Sequence, residues 1–278
     1  MRSGVSGRPA GYDSGMDPRD TAVLLPPSSG DPVGDGFFDC AEESAHYAFS
    51  VQLLLTQYAA QVPWQSEGVA ELGSGDARAI AHVVRALPDL TVHGTDISPT
   101  SVARARETIT GLQVADRYTV ELGDFFTWAD SPAGERISTV IANPPYIPAP
   151  DGDILMPELW GGWHGNDLAL RLLTAGFEHV LVALPSYSDP AATIAAARDL
   201  GYRTANFLAM GLEFGAYSRE PKVAEHIARL TAEGHGWAGD DSYVVAVALL
   251  TRSPELHRDR STELLRALQL SVQAESFR

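Results

Sequence analysis

The sequence predicts an α/β protein built on a Rossmann-like, doubly wound and mostly parallel seven-stranded sheet. Three observations carry that expectation. Short apolar runs alternate with helical patterns from Glu67 to about residue 250, a glycine turn follows the first run, and aspartates follow the next two. The 278 residues suffice for one large domain with extensions, and 45% hydrophobic against 20% charged residues is ordinary for a chain with a buried core.

Residues 1–36 are dense in Gly, Pro, Ser and Asp, as in "PPSSGDPVGDG". They bury too little apolar surface to offset their ordering entropy, so a disordered tail is expected. Residues 37–66 read as an N-terminal lid segment. Its helix, over about 43–61, has Ala45, Phe49, Leu53 and Tyr58 at helical intervals and Pro63 just past its end. The main domain, 67–252, holds seven apolar runs: "GVAEL" (68–72), "LTVHGT" (90–95), "YTVEL" (118–122), "ISTVIA" (137–142), "FEHVLVAL" (177–184), "YRTANFLAM" (202–210) and "YVVAVALL" (243–250). Helical patterns lie between them near 76–87, 99–111, 165–175 and 190–200. Repeated strand, helix, strand implies right-handed crossovers and a sheet covered on both faces. An insertion, 211–242, with a helix around 221–233 precedes the last run. A C-terminal tail, 253–278, carries an amphipathic stretch at 260–272 suited to packing on the outside or to pairing two copies as a homodimer.

Charge and composition remove several classes of function. Twenty Lys and Arg against 36 Asp and Glu give a net charge of −16, and no arginine cluster forms a patch, so nucleic acid is a poor partner. Cys40 is the single cysteine, which excludes an internal disulfide and any CxxC metal site. The eight histidines lack HxH or HExxH spacing, so no metal centre is expected. No apolar run approaches the roughly 20 residues that span a bilayer, and no apolar signal core opens the chain. A soluble, cytoplasmic protein is expected.

The chemistry concentrates at strand ends. The first strand runs into "ELGSGDAR", placing Glu71, Gly73, Ser74 and Gly75 at the turn into the next helix, where backbone amides can approach a ligand closely. Read alone, this is equally a tight turn that needs glycine, and it lacks the third glycine of GxGxxG. The second strand ends in "GTDIS", with Asp96 and Ile97; a carboxylate there can accept both hydroxyls of a ribose, while Ser98 before Pro99 is the better helix cap. Asp124 and Phe125 follow the third strand in "ELGDFF". After the fourth strand comes "IANPPYIP" (141–148). Pro144 and Pro145 stiffen the backbone, so the Asn143 side-chain oxygen and the Pro144 carbonyl can hold the N–H donors of a planar amide or amine while Tyr146 stacks on its face.

The turn resembles the E/D-x-G-x-G turn of class I S-adenosylmethionine (SAM) methyltransferases, and residues 67–185 resemble the HemK-type methyltransferases, which include release-factor glutamine N5-methyltransferases. "PELWGGWHGNDLALRLL" (157–173) is similar to that family's Gly-Gly-x-x-Gly stretch, and "FFDCAEES" (37–44) to its upstream P-x-E-D segment, with Cys40 where proline is usual. The resemblance implies a class I methyltransferase fold with SAM as cofactor. By motif, Glu71, Gly73 and Gly75 hold its methionine part, Asp96 its ribose, and Asp124 and Phe125 its adenine, with Ser74, Ile97 and Asn143 also among the cofactor-binding residues. Asn143 through Tyr146 take the acceptor. Phe38, Trp160, Trp163, His164, Glu213 and Tyr217, with Phe214, are candidate substrate contacts, each equally at home in core packing or on the surface.

The first expectation for the acceptor is a planar nitrogen, or an activated carbon, of a small molecule in a biosynthetic pathway. It rests on the motif set, the aromatic insertion and the absence of the family's usual helical docking domain. The alternative is glutamine methylation on a protein such as a release factor. An N6-adenine methyltransferase, which shares the Asn-Pro-Pro-Tyr signature, and a non-catalytic SAM-binding protein stand behind these.

Overall fold

A computed structural model describes residues 40–273, so the expected tail at 1–36, Phe38 and the last five residues lie outside the described part. In chain order the elements are α1 (Ala41–Gln57), α2 (Trp64–Glu67), β1 (Val69–Leu72), α3 (Arg78–Ala86), β2 (Val92–Asp96), α4 (Pro99–Gly111), β3 (Tyr118–Leu122), α5 (Phe125–Ala129), β4 (Thr139–Ala142), α6 (Asp167–Leu173), β5 (His179–Pro185), α7 (Pro190–Asp199), β6 (Arg203–Glu213), α8 (Pro221–Glu233), β7 (Ser242–Thr251) and α9 (Ser261–Gln273). The seven strands form one sheet in the order β3-β2-β1-β4-β5-β7-β6. The first five pair in parallel, while β7 inserts antiparallel between β5 and β6. The fold class is therefore the doubly wound, mostly parallel α/β arrangement expected.

The long apolar runs explain why the sheet is covered on both faces. Along β5, Leu181 and Ala183 join one hydrophobic cluster while Val180, Val182 and Leu184 join the other, the period of two that a pleated strand imposes. The first cluster takes Leu54 of α1, Ile80 of α3, Val102 of α4 and Val223 of α8. The second takes Leu172 of α6, Ile194 of α7 and Leu264 of α9. The C-terminal helix thus packs on the domain against β7 and β6.

Local signals set the helix starts. Ser98 caps α4, its Oγ accepting from the Ser101 amide at 3.2 Å, and Pro99 occupies the first turn. Asp189 caps α7 in the same way ahead of Pro190. Two boundaries differ from expectation. The first helix stops at Gln57, and a separate short α2 follows Pro63. β6 runs on to Glu213, so the insertion begins three residues later than its sequence suggests. Among the described residues, no helix is long and apolar enough to cross a membrane.

Strand order reverses at β1, which pairs with β2 on one side and β4 on the other. A crevice opens outside the carboxyl ends of the strands at such a point. That is where the site lies.

Candidate active site

A cavity of about 710 Å³ opens there, lined by the loops after β1, β2, β3 and β4, the first turns of α1, and residues 213–218. Its two ends are built differently.

The first end is made of short local turns. Gly73 and Gly75 both take left-handed backbone, φ +73° and +55°, which glycine adopts freely. Their turn brings the Gly75 amide 2.9 Å from Asp96 Oδ2, while the Ser98 amide donates to Oδ1 at 2.8 Å. Each carboxylate oxygen keeps a further lone pair for a ligand hydroxyl. Ser74 is buried on the wall beside Gly94, where a Cβ would stand 2.1 Å from the Ser74 hydroxyl and force it to turn aside. Glu71 lies at the bottom and accepts from the Tyr118 hydroxyl. Burial pushes its carboxyl up to about 7, and the nearby Asp96 and Asp76 push the same way. Ile97 is 78% exposed at the end of β2, an apolar surface offered to a flat ring. Asp124 lines the cavity and also caps α5, accepting from the Thr127 amide at 3.0 Å. Phe125 borders the cavity while packing largely inward, against Phe126, Trp128 and Phe177.

The second end is assembled from distant segments. Asn143 Nδ2 donates to Glu43 Oε1 at 2.9 Å, Tyr146 OH donates to Glu43 Oε2, and Tyr243 OH donates to the same oxygen at 3.0 Å. Glu43, in the first turn of α1, is 2% exposed. Burial raises its carboxyl, and the three donors pull it back down. With its nitrogen turned to Glu43, the Asn143 amide leaves Oδ1 as a shielded acceptor without a partner. Sequence reading missed Glu43, although it lies in the "FFDCAEES" segment, and it also missed Tyr187 and Tyr243. Those two rings pack with Tyr146 and with Phe214, which stacks on Tyr243 at 5.4 Å.

The loop after Tyr146 is held by close backbone approach. Gly161 and Gly165 abut Tyr146: a Cβ on Gly161 would come within 2.6 Å of the Tyr146 Cα, and one on Gly165 within 2.3 Å of its carbonyl oxygen. Ser188 Oγ donates to that same carbonyl at 2.8 Å. This packing turns the candidate substrate contacts Trp160, Trp163 and His164 away from the cavity. Trp160 donates to the Ala149 carbonyl at 3.1 Å, Trp163 meets His226 edge-on, and His164 stacks on His235. Glu213, Phe214 and Tyr217 do line the cavity.

No family model matches the chain. The chain is 35% identical over 86 residues to a release factor glutamine methyltransferase of Moorella thermoacetica, covering 31% of this chain and 29% of that one. It is 29% identical over 143 residues to the enzyme of the same name from Thermosynechococcus vestitus, covering 50% and 48%. The matches thus span half or less of the curated relatives' length. A SAM-dependent methyltransferase from Geobacter sulfurreducens, solved with S-adenosylhomocysteine, superposes with a TM-score of 0.41 at 19% identity, over 74% of this chain and 93% of that one. The resemblance to HemK-type methyltransferases is thus met by curated relatives: over the stretches matched, this chain is similar to release factor glutamine methyltransferases.

Proposed function

We infer that the protein is a SAM-dependent methyltransferase and that its acceptor is the side-chain amide of a glutamine in a protein. One observation carries the reading: Glu43 fixes the Asn143 amide so that Oδ1 is left as an acceptor without a partner beside a cavity of nucleoside size. A buried acceptor left unpaired is costly, and an incoming N–H removes that cost.

The remaining wall fits the cofactor. Asp96 retains lone pairs for ribose hydroxyls, Ile97 offers an apolar face, and the buried Glu71 carboxyl gains from a positive ligand. When bound, SAM supplies an electrophilic methyl on a sulfonium.

The chain's part in the reaction is positional. An amide nitrogen is a weak nucleophile because its lone pair is delocalised. Hydrogen bonds from its NH2 to Asn143 Oδ1 and the Pro144 carbonyl would fix its orientation and raise electron density on nitrogen. With SAM bound beside it, the amide nitrogen held there would be placed to take the sulfonium methyl, leaving S-adenosylhomocysteine, and its surplus proton would pass to water. Tyr146, held by Glu43, and the Phe214 side of the cavity would flank the flat group.

The relatives' names favour a protein glutamine over the small planar metabolite that the sequence suggested first, and the aromatic wall accepts a flat group of either kind. Titration calorimetry with SAM, followed by incubation of the loaded protein with a release factor, tests the reading. Micromolar SAM binding and methylation of the protein are expected; SAM binding with transfer only to a metabolite would return the acceptor to a small molecule.

A further inference from the structure

On the far side of the acceptor loop three potential metal ligands converge from widely separated segments. His164 lies in the loop before α6, Asp189 at the start of α7, and His235 in the loop between α8 and β7. One ligand atom from each lies within 4.8 Å of the other two. His235 Nδ1 stands 3.0 Å from Asp189 Oδ2, and the His164 and His235 rings stack with centroids 4.7 Å apart.

The carboxylate is held in place by its turn. Asp189 is 5% exposed and sits at φ +45°, left-handed backbone that residues other than glycine rarely adopt. Its Oδ1 caps α7, accepting from the Ala192 amide at 3.1 Å, which leaves Oδ2 facing His235. Asn166 Nδ2 holds the Asp189 carbonyl at 3.4 Å, tying the His164 loop to the same turn. Both imidazoles are half-buried. Four-coordinate zinc places its ligand atoms roughly 3.3 Å apart. The widest separation permitted here exceeds that by about 1.5 Å, within reach of two side-chain rotations.

We propose that His164, Asp189 and His235 form a divalent-metal site suited to zinc, with two imidazole nitrogens, one carboxylate oxygen and water in the fourth position. The site was invisible to spacing rules because its ligands share no local motif. It is not a reaction centre. His164 precedes Gly165, and Asp189 follows Ser188, the two residues that press on the Tyr146 carbonyl. A bound ion would therefore clamp the back of the acceptor loop to the start of α7 and to the α8–β7 connection.

The test uses the whole chain, stripped with chelator and titrated calorimetrically with zinc chloride, alongside His164→Ala, His235→Ala and Asp189→Asn. Asn caps helices well, so the last variant keeps α7 while removing the anionic ligand. The expected result is one equivalent bound by the wild type with a raised Tm, weakened at least tenfold in each variant. Cobalt substitution should give the intense visible bands of a four-coordinate ion. No saturable binding by the folded wild type, or an affinity in all three variants equal to that of the wild type, overturns the proposal, because the His235–Asp189 pair would then be only a hydrogen bond.

Discussion

The two ends of the cavity are made by different means. The cofactor end is a set of local turns: Glu71 to Gly75 after β1, Asp96 and Ile97 after β2, Asp124 after β3, each within a few residues of the strand that aims it. The acceptor end is a long-range assembly in which Glu43 gathers partners 100, 103 and 200 residues away along the chain. The first can be altered piecemeal; the members of the second share one buried carboxyl and should act on the same step. Variants at the cofactor end should therefore change SAM affinity, and variants at the acceptor end should change turnover with SAM affinity intact.

The largest effect is expected at the acceptor end. Asn143→Ala removes the side-chain acceptor offered to the amide, and turnover should fall by about 10²–10³-fold, as when one preorganised partner is lost elsewhere. Single-turnover kinetics at saturating SAM measure it. Near-wild-type turnover would remove the clamp from the account.

Next comes Glu71, where the comparison predicts a pH effect confined to the cofactor end. Its carboxyl is raised from 4.5 to about 7, so the folded protein holds the proton more tightly than the unfolded chain. Stability from this group is full below pH 4.5 and is lost as pH rises to about 7, by about 3 kcal/mol. Chemical denaturation of wild type against Glu71→Gln should show that difference in slope. SAM brings positive charge and should release a proton from Glu71 near pH 6, read as a dependence of binding enthalpy on buffer. A slope shared by the variant would place the titration elsewhere.

A smaller effect is expected from Asp96→Ala. Losing a charged acceptor costs about 1.5–3 kcal/mol, or about 10–100-fold in SAM affinity by calorimetry. Unchanged affinity would deny the carboxylate its ribose. The smallest is Glu43→Gln. The amide introduced there could either donate or accept, so the Asn143 amide loses its imposed orientation while the shape is kept. We expect kcat to fall about tenfold, on the order of 1.4 kcal/mol, with KM and SAM affinity little changed; a loss mainly in SAM affinity would merge the two ends into one.

The same division decides what was legible in the sequence. Strands and crossovers were readable because apolar runs and glycine turns are local signals, and all seven strands lie where those runs are. The turns at Gly73, Gly75 and Asp96 were readable for the same reason. Glu43 was not, since an acid beside Glu42 in a first helical turn looks like a response to the helix dipole. Its role exists only once Asn143, Tyr146 and Tyr243 surround it. Trp160 and Trp163 show the converse: aromatic residues next to the Asn-Pro-Pro-Tyr motif suggested a pocket. The tight contacts of Gly161 and Gly165 with Tyr146 instead send them to the outer surface, where they are 41% and 46% exposed.

The most direct measurement is to incubate the protein with isotopically labelled SAM and a release factor, then locate the label by peptide fragmentation. One methyl on the side-chain nitrogen of a glutamine is expected, and none with Asn143→Ala although SAM still binds. Label on any other atom, or an unlabelled release factor in the presence of bound SAM, would contradict it.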